Sequence, residues 1–80
     1  MRVRTLLFAT YRDMAGAEEL EVELPAGSTA LDLVSRLRSR AGLEGLPSEP
    51  ALAVNQVYSA LSTPLSDGDE VALLPPVAGG

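Results

Sequence analysis

The 80-residue chain contains no cysteine, no histidine and no lysine. Without cysteine it can form neither a disulfide nor a thiolate metal centre. Without histidine the Ser-His and Cys-His nucleophile pairs are excluded, together with imidazole ligation of a metal, and without lysine so is Schiff-base chemistry. All six basic residues are arginines, set against eleven acids for a net charge of −5. That balance argues against nucleic acid as a partner, since phosphates require clustered cations, and it favours partners that present positive charge. No apolar run approaches the roughly 20 residues that span a bilayer, so no membrane partner is expected. The opening Met1-Arg2-Val3-Arg4 leads into a strand-like segment rather than an apolar stretch with a small-residue cleavage site, so the cytoplasm is the expected compartment. What is present, 46% hydrophobic and 21% charged residues, is the balance of one small globular domain.

Residues 2–10 are apolar and β-branched enough for a strand, and residues 11–16 lose that pattern and read as a connection. Residues 18–24 alternate, with Leu20, Val22 and Leu24 on one side and Glu19, Glu21 and Glu23 on the other, which predicts a half-exposed strand. The two should pair as an antiparallel hairpin with a loop longer than a tight turn. Ser28-Thr29 opens a helix, one hydroxyl acting as N-cap with Asp32 in the first turn. Leu31, Val34, Leu37 and Ala41 fall near one face, broadened by Leu33, and Gly42 is the expected C′ residue. Arg36, Arg38 and Arg40 complement the helix dipole or form an anion patch. Residues 42–50 read as a loop with a short helical turn, 51–54 and 57–60 as short strands around Asn55-Gln56, and 70–74 as the last strand after the turn Ser66-Asp67-Gly68-Asp69. The order β-β-α-β-β-β predicts an α+β fold, a single sheet of four or five strands with one helix across it.

Few internal groups are left to carry chemistry. Asp67, Asp69 and Glu70 form an acidic cluster, but the spacing lacks the alternating ligands of a calcium loop, and turns favour aspartate for backbone reasons, so no metal site is expected. No glycine-rich stretch is followed by Lys-Ser/Thr, so there is no phosphate loop. The end of the chain differs. Pro75-Pro76-Val77-Ala78-Gly79-Gly80 follows the last strand directly. The prolines end the sheet and stiffen the chain. Gly79 and Gly80 have no side chain and can pass a channel too narrow for other residues. From Pro76 to Gly80 the reach is at most about 13–14 Å.

In this context the sequence resembles the small subunits of molybdopterin synthase, sulfur carriers with a ubiquitin-like β-grasp fold. The resemblance rests on Asp67-Gly68-Asp69-Glu70-Val71-Ala72 running into Pro75-Pro76-Val77-Ala78-Gly79-Gly80. Ala53-Val54-Asn55-Gln56, Pro64-Leu65, Leu7-Phe8-Ala9, Arg12-Asp13 and Gly16 support it. It implies a mixed sheet with one main helix, a domain over residues 1–76 and a flexible tail over 77–80. It also implies that an ATP-using, E1-like adenylyltransferase adenylates the carboxylate of Gly80. Sulfur from a persulfide donor then converts this to a thiocarboxylate. The tail, with Gly79 in the channel, inserts into the large synthase subunit and delivers sulfur to a cyclic pterin precursor, in a heterotetramer of two small and two large subunits. No cofactor is bound permanently. Phe8, Tyr58 and Leu74 take the positions of the family's apolar docking patch, continued by Pro75, Pro76, Val77 and Ala78. By strand alternation alone Phe8 and Leu74 are equally compatible with core.

Three other readings share these features: a carrier for thiazole synthesis or tRNA thiolation, a modifier conjugated to target lysines, and an interaction module whose tail is incidental. The double proline before the Gly-Gly end favours the molybdopterin reading over the first of these.

Overall fold

Alternation in the first segment decides the two faces of the sheet. In the computed structural model, which describes residues 1–76, β1 (Arg2–Leu7) buries Val3, Thr5 and Leu7 and turns Arg2, Arg4 and Leu6 to the opposite face. A short helix α1 (Ala9–Ala15) follows, then β2 (Glu19–Glu23), the main helix α2 (Ala30–Arg38), β3 (Ala51–Val54), β4 (Val57–Ser59) and β5 (Glu70–Leu74). The strands form one sheet in the order β2-β1-β5-β3-β4. β2 runs antiparallel to β1 with Val3 opposite Val22, and β5 runs parallel to β1 with Leu7 beside Leu73. β3 pairs antiparallel with both β5 and β4. The result is the α+β architecture expected, a mixed five-stranded sheet with α2 as the main helix.

Helix α2 begins where the hydroxyls predict. The Thr29 backbone N–H donates to Asp32 Oδ2 at 2.8 Å, and the Asp32 N–H donates to Thr29 Oγ1 at 3.4 Å, closing a reciprocal cap. Its buried face is Ala30, Leu33, Val34 and Leu37, the i, i+3, i+4, i+7 set. Leu31, expected on that face, is 45% exposed because it lies one residue, about 100°, round from Ala30. Ala41 is exposed as well, since the helix stops at Arg38 with Ser39 as C-cap. Gly42 is therefore not C′. It sits in the following turn at φ +89°, where a Cβ would come 2.8 Å from the Met14 carbonyl oxygen.

Two other expectations need correction. The strand predicted over residues 2–10 ends at Leu7, and residues 9–15 form a helix instead of a connection. Tyr11 is buried and Met14 and Ala15 are half-buried, an i, i+3, i+4 set too short to register as periodicity. Residues 42–50 contain turns but no helix, and Leu43 and Leu46 are buried at 1% and 2% exposure, so this loop supplies core. The Asn55-Gln56 turn has φ of +50° and +70°, the doubly left-handed conformation that matches the twist of a two-residue hairpin.

One buried polar group stands apart. Thr5 is fully buried, and its Oγ1 has no hydrogen-bond partner among the described residues. Valine has nearly the same shape without the hydroxyl. Thr5→Val is expected to raise stability by about 1 kcal/mol, because it removes an unsatisfied buried group. The urea midpoint should rise at unchanged slope. A lower midpoint would show that the hydroxyl is satisfied.

Candidate functional site

The strand register divides the face away from α2 into two halves. Leu6 is level with Ala72, Ala72 with Ala53, Ala53 with Tyr58, and Leu74 with Ala51, so these side chains lie together at one end. At the other end Arg2 faces Glu23, and Arg4 faces Glu21 and Glu70. Arg2 Nε donates to Glu23 Oε1 at 2.9 Å, and Arg4 Nη2 donates to Glu19 Oε1 at 2.8 Å. These hydrogen bonds are the main reason both guanidiniums are held above their ordinary pKa. One half of the open face is thus an ion-paired lattice and the other is apolar.

Phe8 follows the inward-facing Leu7 and continues the apolar half at 46% exposure, while Tyr58 is 81% exposed on β4. Leu74 is half-buried and lies outside the core cluster. The choice left open by alternation is therefore resolved: neither Phe8 nor Leu74 is core. β5 then leads to Pro75, half-buried, and Pro76, exposed. Both prolines line a groove of about 480 Å³ with Leu74, Ala51, Tyr58, Tyr11, Pro47, Glu49 and Pro50. A smaller cleft of about 270 Å³ lies beside Leu6, Leu7, Phe8 and Arg12. Val77, Ala78, Gly79 and Gly80 lie outside the described residues.

Sequence reasoning missed Tyr11, Pro47 and Pro50 as walls of this groove. Leu6, Ala51 and Ala72 join the patch only through register.

The acidic turn before β5 serves the backbone. Asp67 Oδ1 accepts from the Arg2 N–H at 2.7 Å, and Asp69 Oδ2 accepts from the Ser66 N–H at 2.7 Å. Asp69 Oδ1 accepts from Asn55 Nδ2 at 3.0 Å, which ties the β3–β4 hairpin to the start of β5. Among the described residues no group of three or more acids can hold a metal ion, and none of their helices is long and apolar enough to cross a membrane. The described residues offer an exposed apolar patch beside the point where β5 ends.

Comparison with known proteins bears on all of this. The model of the ThiS family matches residues 5–80. The molybdopterin synthase sulfur carrier subunit of Arabidopsis thaliana is 33% identical over 81 residues, covering 100% of this chain and 84% of that protein. A chain of the complex of subunits 1 and 2 of the molybdopterin-converting factor from Helicobacter pylori superposes with a TM-score of 0.72 at 31% identity, covering 100% of both chains. The small archaeal modifier protein 1 of Haloferax volcanii superposes with a TM-score of 0.84 at 27% identity, over 95% of this chain and 98% of that one.

The groove supplies a titration that can be checked. Tyr11 is 5% exposed, and burial pushes its phenol above the ordinary tyrosine pKa. Past that ordinary value, about 10, the unfolded chain loses this proton before the native state does, so stability falls as pH rises. Tyr11→Phe is expected to flatten the fall between about pH 9 and 11 in urea titrations. An unchanged slope would show that the Tyr11 phenol ionises as it does in water.

Proposed function

The chain belongs to the ThiS family, and on that footing we propose that it is the sulfur carrier of molybdopterin synthesis, with its cargo on the carboxyl group of Gly80. The fold is the ubiquitin-like β-grasp. The observation that carries the reading is the delivery of the chain by β5 to Pro75-Pro76, at the rim of an apolar face.

A carboxylate is a poor electrophile. Adenylation by an ATP-using, E1-like partner would provide the leaving group, and sulfur from a persulfide donor would replace it to give a thiocarboxylate. The large synthase subunit would then receive residues 77–80, with Gly79 free of a side chain where the channel is narrow. There the sulfur would pass to the cyclic pterin precursor. The likeness to a chain of a two-subunit converting factor supports a large-subunit partner, and we place this chain in a heterotetramer of two small and two large subunits. Phe8, Tyr58 and Leu74, with Pro75 and Pro76, form the docking surface in this reading. It suits the role because it is apolar and already exposed, so docking requires no opening of the core.

A second reading is favoured by the likeness to the archaeal modifier protein, namely conjugation of Gly80 to lysines of other proteins. Isopeptide adducts that survive reducing denaturation would support it.

Protein isolated from its own cells should carry a fraction in which one terminal oxygen is exchanged for sulfur, seen by intact mass. Removing Gly80 should abolish that species and leave the circular dichroism spectrum unchanged. Persistence of the sulfur on the shortened chain would refute the chemistry. Tyr58→Ala should weaken binding to the large subunit by at least about tenfold, as loss of an aromatic anchor does. Its stability should not change, because Tyr58 lies in solvent. Unaltered affinity would remove Tyr58 from the interface.

A further inference from the structure

An open sheet ends on two strands whose outer backbone groups have no partner within it, and an extended segment of another chain can complete either edge. We infer that the outer edge of β2 is a docking strip for an extended, basic segment of another protein, which joins the five-stranded sheet as one further strand. This edge is the one away from β4 and Tyr58, so its occupation leaves the apolar patch free and is independent of the carrier reading.

The register decides which groups face outward. The Leu24 N–H donates to the Met1 carbonyl at 2.9 Å, and the Leu7 N–H donates to the Glu18 carbonyl at 2.8 Å. Bonded and unbonded pairs alternate in an antiparallel ladder, so Val3 with Val22 and Thr5 with Leu20 are bonded pairs too. Glu19, Glu21 and Glu23 stand between them, with their N–H and C=O groups turned away from β1. Arg36 confirms the direction, because its Nη1 reaches from α2 to donate to the Glu23 carbonyl at 3.1 Å. Among the described residues no strand pairs with this edge. It runs for five residues without proline or glycine, whereas β4, the other edge, has three.

Both faces of the strip have room for a partner's side chains. Toward α2, Leu20 is half-buried against the core. Beyond it a groove of about 460 Å³ is lined by Leu24, Pro25, Asp32, Ser35, Arg36 and Ser39. On the open face the charge selects the occupant. Glu19, Glu21, Glu23 and Glu70 share two arginines, Arg2 and Arg4. Glu21, in the middle, has Arg2 no nearer than 4.0 Å and is 61% exposed, so it is the least neutralised. β1 already shows the pattern that suits β2: Arg2-Val3-Arg4-Thr5 sends arginine to the glutamates and β-branched residues toward α2. A segment with the same alternation on the outer side meets the glutamate row a second time. A second copy of β2 does not fit, since glutamates would stand directly opposite glutamates.

The probe is the peptide acetyl-Thr-Arg-Val-Arg-Val-Arg-Thr-amide, titrated into the full chain while amide hydrogen exchange is followed by NMR. The Glu19 and Glu21 amides should exchange at least about tenfold more slowly, and the Tyr58 amide should not change. The same peptide N-methylated at its arginines keeps its charge but loses the N–H groups that bond β2 carbonyls. It should bind at least about tenfold more weakly. Glu21→Lys should weaken the unmethylated peptide at least about threefold by placing like charges opposite one another. Equal affinity of the methylated peptide would reduce the contact to diffuse charge attraction and overturn the inference. Unchanged exchange at Glu19 and Glu21 also overturns it. So does protection of these amides that grows with chain concentration in the absence of peptide, which would make the occupant a second copy.

Discussion

β5 lies between β1 and β3, and its parallel pairing with β1 is the contact on which the rest depends. Val71 and Leu73 are fully buried between Thr5 and Leu7 on one side and Val54 and Leu52 on the other. Without β5 the β1–β2 hairpin and the β3–β4 hairpin share no strand partner, and α2 has no continuous surface to cover. The same pairing fixes where the chain leaves the sheet, because a strand parallel to β1 must exit at the end where β1 gives way to Phe8 and α1. The end of β5, Phe8 and the groove meet at one end for that reason.

The open face follows from the same register. Period-two alternation sends glutamates and arginines to one half and small or apolar residues to the other, and the ion pairs across β1 and β2 keep the charged half occupied with itself. Each exposed pair contributes little to stability. Their consequence is spatial: the apolar surface is bounded by a lattice with more acid than base. The two acids of the turn before β5 are engaged locally, Asp67 and Asp69 being bonded to backbone and to Asn55.

Much of this was legible in the sequence. Alternation in residues 18–24, the Thr29–Asp32 cap, the Asn55-Gln56 turn and the aspartate turn before the last strand each state a local rule that the structure obeys. What local rules could not give is which segments meet. α1 is shorter than the window needed to see helical period, and Phe8 continues the apolar run of β1 into it. Leu43 and Leu46 sit among glycines and prolines, where apolar residues carry no period, yet tertiary packing buries them. The patch likewise needed register, since Leu6, Ala72, Ala53 and Tyr58 come from four strands and nothing in their spacing connects them. Phe8, Tyr58, Leu74, Pro75 and Pro76 were reached through family resemblance, whereas Tyr11, Pro47 and Pro50 of the groove wall were not reached at all.

The central strand is also the last of the described strands in sequence, and that bears on biogenesis. While residues 1–60 emerge from the ribosome, β1 can pair with β2 and β3 with β4, but no strand joins the two pairs until Glu70–Leu74 arrives. Contacts this distant in sequence make folding a late event. A product terminated before Glu70 lacks the strand that closes the core, and exposes apolar surface to proteolysis. Quality control of the fold is thereby quality control of synthesis through β5: a copy that has acquired its native sheet has already been translated as far as Leu74.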